Sequence, residues 1–237
     1  MPSIGIRIQS LDDFVNIGLN VDTVKRFQTL TRTSYCRQPQ FDQERLMGSN
    51  ILLISGSAQG TNASSFSIAK QVIERLQATD LKIRDLSSGL LSINQEWVTA
   101  NLTEQSSRTQ EQDEQLSLSD ELIKEVIWAD IIVIASPIYN FSIPSALKVW
   151  VDQICRAGLT FNYSETGPVG LLKDKRAILT MTSGGVPVDS AVDFATPYLR
   201  QVLNFIGIQD IQTVSADQQV TTTDYMERAA EDIQKVA

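Results

Sequence analysis

The chain has 237 residues, 42% of them hydrophobic and 20% charged, with no histidine, two cysteines and a net charge of −8. This length suggests one large domain or two small ones, and the balance is too apolar for a disordered chain. The missing histidine excludes Ser-His-Asp and Cys-His catalysis, HExxH zinc sites and His-ligated haem, while Cys36 and Cys155 are too few for a zinc ribbon or a disulfide framework.

The acidity, with a sequence pI near 4.6, leaves no basic stripe to replace the counterions of a nucleic acid. No apolar run approaches the ~20 residues that cross a bilayer. The N-terminus also lacks the charged-then-apolar pattern of a secretory signal. A cytoplasmic protein acting on a small molecule or a protein partner is expected, and scarce cysteine suits that reducing compartment.

Residues 1–47 read differently from the rest. They carry six Lys/Arg against five Asp/Glu, whereas residues 48–237 carry 14 against 23. Three readings stand for this stretch: a flexible extension, a start assigned upstream of the true one at Met47, or a weak organelle-targeting segment. Asp12, Asp13 and Asp22 count against targeting, because transit peptides are poor in acids. Residues 48–237 are taken as the domain.

From Asn50 the chain alternates strand and helix. Ile51 to Ile54 is a continuous apolar run, the mark of a strand buried on both faces. Phe66, Ala69, Ile73 and Leu76 share a helical face, and Leu81 to Leu86 alternates as a strand does. A long helix is expected from Ser107, with Gln110 as capping partner, to Trp128. Ile131 to Ile134 is a second buried strand, and Pro144 opens the next helix. Ala177 to Met181 is a strand, and Thr196-Pro197 starts a helix that Gly207 ends. Ile208 to Val214 makes the fifth strand. Asp224 and Glu227 begin a last helix whose apolar face carries Met226, Ala229, Ile233 and Val236.

Five strands separated by helices predict an α/β fold, a doubly wound parallel sheet with helices on both faces. Five strands fit the flavodoxin-like order 2-1-3-4-5 better than the six-stranded dinucleotide fold. Ligands then bind beyond the carboxyl ends of the strands, so the loops after the first, third and fourth strands carry the chemistry. The first, Ser55 to Ser65, is rich in hydroxyls and has no Lys or Arg. It is neither GxGxxG nor a P-loop, and it suits static anchoring of a monophosphate at a helix N-terminus, or simply a serine-rich turn. The second, Ser136 to Pro144, presents Tyr139, Asn140 and Phe141 between two prolines. Asn140 offers the donor and acceptor that an imide edge needs, although a rigid packing loop would look similar. The third, Thr182 to Pro187, holds Gly184-Gly185, which admits a flat ligand close to backbone N–H groups or makes a plain tight turn.

Three further stretches make the resemblance specific: Pro137 to Phe141, Arg156 to Tyr163, and Gly167 to Leu172. With Thr182–Gly185, Thr196 to Leu199 and Asn204 to Ile208, they resemble the FMN-dependent NADH-azoreductase and quinone reductase family from about Asn50 to the C-terminus. The resemblance implies non-covalent FMN, NADH or NADPH as co-substrate, and planar acceptors such as quinones and azo compounds. It implies a ping-pong exchange through flavin N5 and a homodimer whose subunits share each site. It places Ser57, Ser64 and Ser65 at the FMN phosphate, although Ala63 stands where the family often has serine. Ile138, Tyr139, Asn140 and Phe141 fall along the flavin edge, Thr182, Ser183, Gly184 and Gly185 in the second flavin-binding stretch, and Tyr163 and Phe205 on the substrate side. No catalytic side chain and no metal are needed. The competing reading is a flavodoxin-type FMN electron carrier, with a nucleotide-binding regulator behind it.

Overall fold

A computed structural model describes residues 49–236. The expectations for residues 1–47 lie outside the described residues.

Five parallel strands, β1 (Asn50–Ser55), β2 (Asp80–Asp85), β3 (Ile131–Pro137), β6 (Arg176–Thr182) and β7 (Asp210–Ala216), form one sheet in the order β2-β1-β3-β6-β7. In order of their appearance in this sheet these are strands 2-1-3-4-5, as expected. The strands β1 and β3 are apolar throughout because helices cover both faces. On one face α3 (Gln110–Trp128), α4 (Ser145–Ile154) and α5 (Thr196–Ile206) pack on Leu52, Ile54, Ile132, Ile134 and Leu179. On the other, α1 (Ser64–Leu76) and α6 (Tyr225–Lys235) pack on Ile51, Leu53, Val133, Ile178 and Val214. Each Ile or Leu so buried contributes ~1.5–3 kcal/mol relative to exposure. β2 lies at the edge, so the face carrying Leu81 and Ile83 is about half exposed (45% and 51%).

Two elements were not foreseen. A short helix, α2 (Gln95–Leu102), precedes α3, with Asn94 capping it by accepting from Trp97 N at 2.9 Å. The stretch after α4 folds as an antiparallel hairpin, β4 (Phe161–Ser164) with β5 (Gly167–Gly170). β5 then passes so close to the end of α5 that a Cβ on Gly170 would lie 2.1 Å from Gly207 N. Only glycine fits there.

Boundaries moved for identifiable reasons. The capping box of α3 is Thr109 with Gln112, two residues later than expected, because Ser107 belongs to a preceding 3₁₀ turn. Gly207 ends α5 at φ 110, and Ile208 N donates to Leu203 O at 2.9 Å, closing a Schellman motif. Ile208 is therefore the buried contact of that cap, and β7 starts at Asp210. At α6, Asp224 occupies the N-cap position without a side-chain cap bond and sits 3.6 Å from Arg228. Tyr225 packs on the core there, and Met226 is 45% exposed.

Candidate functional site

β3 and β6 run side by side to their carboxyl ends, where Pro137 pairs with Thr182. Ile138 N continues the ladder by donating to Thr182 O at 2.7 Å. Two of the three loops of interest therefore leave the sheet in contact. The third leaves β1 next door: Gly56 N donates to Ala135 O at 2.8 Å. A Cβ on Gly56 would meet Leu147 and Ala135 O at 3.1 and 3.2 Å, so glycine here lets α4 close onto the strand ends.

The three loops enclose a cleft of about 220 Å³. Ser57, Ser64, Ser65, Ile138, Tyr139, Thr182, Ser183 and Gly184 all line it, and none of its lining side chains is charged. Any anion held there rests on amide and hydroxyl dipoles. The floor is the start of α1. Its N-cap residue, Ala63, makes no side-chain cap, and its first turn holds no acid. The first N–H groups of a helix lack intrahelical partners, so this end of α1 presents unpaired donors to the cleft. Ser65 adds a hydroxyl that is buried with no hydrogen-bond partner. A buried polar atom left unpaired costs ~1–3 kcal/mol, which a ligand oxygen would relieve. Ser57 Oγ accepts from Gln59 N at 3.1 Å and lies 3.2 Å from Tyr139 Oη, joining the first loop to the second.

The second loop turns sharply. Tyr139 and Ser142 exchange backbone hydrogen bonds of 2.9 and 3.0 Å, and Asn140 and Phe141 between them have φ of 49° and 70°. Two left-handed central residues make a type I′ turn, which asparagine tolerates and phenylalanine does not. The Phe141 ring is thus held out in solvent, 53% exposed, at a backbone cost of ~1–3 kcal/mol. Asn140 and Phe141 form the tip beyond the cleft wall, and neither lines it.

In the third loop Ser183 looks inward. Its hydroxyl donates to Val186 O and accepts from Gln218 N at 3.1 Å, so only its backbone is open to a ligand. Gly185, two residues on, has open space where a Cβ would be. The buried carboxylate of Asp193 accepts from Asp189 N, Ala195 N and Thr196 N at 2.9–3.0 Å, which stitches the loop onto α5. Phe194 N donates to Phe141 O at 2.9 Å and ties this loop to the aromatic turn.

A fourth loop, after β7, was not read from the sequence. Gln219 N donates to Ser183 O at 2.9 Å, and its side chain accepts from Ser64 Oγ at 3.2 Å across the cleft. Gln59 also lines the cleft. Position alone marks both, since every loop at that sheet edge is a candidate. Tyr163 and Phe205 do not line this cleft. They bracket Phe161, with ring centroids 5.4 and 4.4 Å from it, and Tyr163 is 75% exposed. At Cys155, the one cysteine among the described residues, burial, reinforced by Asp152, pushes the thiol up to about 11, which disfavours the reactive thiolate. No helix among the described residues is long and apolar enough to cross a membrane.

A doubly wound sheet with an uncharged, hydroxyl-lined cleft at its carboxyl edge is the arrangement of the flavodoxin class, and residues 49–237 match the family model described as flavodoxin-like fold. The chain is 47% identical over 182 residues to an FMN-dependent NADH:quinone oxidoreductase of Jannaschia sp. (strain CCS1), covering 77% of this chain and 95% of that one. It is 48% identical over 171 residues to another, of Hahella chejuensis, covering 70% and 84%. Among solved structures, an FMN-dependent NADH-azoreductase of Bacillus anthracis in complex with FMN superposes with a TM-score of 0.69 at 26% identity, covering 79% of this chain and 95% of that one. The chain belongs to the FMN-dependent NADH:quinone oxidoreductase and azoreductase family.

Proposed function

We propose that the protein is an FMN-dependent oxidoreductase that passes reducing equivalents from NADH to quinones and azo compounds in alternating half-reactions. The observation that carries this reading is the uncapped start of α1 with the unpartnered Ser65 hydroxyl, in a cleft whose lining is uncharged. That donor set fits one phosphate of a mononucleotide and offers no lysine for a triphosphate. When bound, FMN would supply the hydride chemistry at N5.

The chain's own residues bind and orient. Ser57, Ser64 and Ser65 with the α1 amides hold the phosphate end. The Ile138–Phe141 segment and the backbone of Thr182 to Gly185 lie along the ring, and the Gly184 and Gly185 amides offset negative charge on its reduced form. Phe141 offers a face for planar acceptors, where offset stacking adds ~0.5–1.5 kcal/mol per ring pair. In this reading Tyr163 and Phe205 serve the site of a partner subunit in a homodimer, since neither lines the cleft of their own chain. The proposed setting is the cytoplasm and the proposed functional domain is residues 48–237.

Purified protein is expected to release FMN, identified by chromatography, and to oxidise NADH with a quinone at a rate that bleaching of the flavin can support. Release of FAD, or reduction too slow for turnover, would overturn the reading and leave an electron carrier or a regulator. A chain starting at Met47 is expected to keep its flavin content and turnover; an insoluble or inactive product would place residues 1–46 in the fold.

The two ends of the cofactor are separable. Asn140→Gly keeps the left-handed backbone while removing the side chain. It is expected to weaken FMN binding by ~1–1.5 kcal/mol and to shift the flavin potential. Ser57→Ala is expected to weaken binding comparably and leave the potential unchanged. Titration of both apoproteins, with potentiometry of the reconstituted forms, checks this. An unaltered potential and affinity in Asn140→Gly would reduce Asn140 to a turn residue.

A further inference from the structure

A second cavity lies away from the flavin cleft. The helix α4 starts beside the carboxyl end of β3, so its last turn reaches the amino edges of the strands, and Arg156 follows there. Arg156 to Leu159 face the second half of α3 and the turn after α2 around a cavity of about 470 Å³. It shares no lining residue with the cleft.

Its charge runs against that of the domain. Arg108, Lys124 and Arg156 line it with a single acid, Asp120. That acid is committed to Arg156, which is 2% exposed. The Arg156 guanidinium also donates to Asn101 Oδ1 at 2.9 Å and Ser119 Oγ at 3.1 Å, and sits 6.0 Å from the Trp97 ring. It is therefore a fixed, preorganised part of the wall. Arg108 donates through Nε at 3.1 Å to Ala100 O and Thr103 O, and its two terminal nitrogens have no partner among the described residues. Lys124 has no ion-pair or hydrogen-bond partner among the described residues. The remaining wall is aliphatic: Ile127 is 50% exposed and Leu159 39%. Two uncommitted cations beside exposed aliphatic side chains, in a space the size of a small-molecule site, select for a ligand with both characters.

We propose that this cavity binds an amphipathic organic anion, a carboxylate or sulfonate whose head meets Lys124 and Arg108 and whose apolar body lies on Ile127 and Leu159. Anilinonaphthalene sulfonate is a suitable probe, titrated by calorimetry into the full chain with FMN in excess so that the flavin cleft is blocked. One saturable site per chain is expected. Lys124→Glu, an exposed substitution that breaks no contact, should weaken the probe at least about tenfold, as loss of a charge-assisted bond does. Ile127→Glu should do the same through the apolar side. FMN content and NADH oxidation should be unchanged in both variants. Phenylnaphthylamine, the neutral counterpart of the probe, should bind at least about tenfold more weakly than the sulfonate. Displacement of the probe by FMN, unaltered affinity in both variants, or equal binding of the neutral compound would each overturn the proposal.

Discussion

Adding one methyl group at Gly170 is expected to destabilise the protein by ~3 kcal/mol or more, at the upper end of overpacking effects. The new Cβ would lie 2.1 Å from Gly207 N and 2.3 Å from the Ile206 carbonyl carbon. Both obstacles are backbone, so no side chain can swing aside. The contact also falls on the Schellman turn that ends α5, so the strain spreads into the hydrogen bonds that close that helix. For a domain of this size the thermal midpoint should fall by roughly 6–12 °C. Gly184→Ala is the control. Its Cβ would meet only Val220 at 3.5 Å, an ordinary contact, and should move the midpoint by less than about 2 °C. Equal midpoints for the two variants would mean that the hairpin lifts away at no cost.

Ser64→Asp, at the exposed first residue of α1, is expected to lower FMN affinity by about a hundredfold or more without weakening the fold. In the proposed site a carboxylate there meets the FMN phosphate at close range, and two like charges ~4 Å apart repel by ~4 kcal/mol even in a fairly polar site. The same carboxylate sits in the first turn of α1, where it caps free N–H groups and complements the helix dipole. The apoprotein should therefore melt no lower than the parent, while fluorescence titration shows FMN binding lost. Undiminished affinity would remove the phosphate from the start of α1 altogether. Affinity and stability lost together would point instead to a fold defect.

The sheet was legible because its strands are extreme. Runs such as Ile51 to Ile54 and Ile131 to Ile134 have one physical explanation, burial on both faces; the crossover rule then leaves few arrangements, and five strands favour the order 2-1-3-4-5. What escaped detection was held by long-range contacts. The hairpin Phe161–Gly170 is short, has polar and glycine residues in place of a clear alternation, and exists because β5 docks on the end of α5. The misplaced start of β7 has the same origin, since an apolar Ile208 reads as strand until the helix cap it completes is known. At the site, the residue types in three loops were enough to find the cleft, because topology forces those loops together. Their individual hydrogen bonds were not readable: nothing in Thr182-Ser183-Gly184-Gly185 reveals that the Ser183 hydroxyl is consumed by Val186 and Gln218. Gln219 was missed because it lies 155 residues from the Ser64 hydroxyl it accepts from.

The turn at Asn140 and Phe141 sets two design goals against each other. A search for a more stable variant would put glycine at Phe141, since a left-handed second position of a type I′ turn is where glycine belongs. That change removes the exposed ring that the proposed function assigns to planar acceptors. In that reading, thermostability gained at this position comes out of substrate recognition, so screens that score only melting temperature would drift toward a sturdier protein with a barer site.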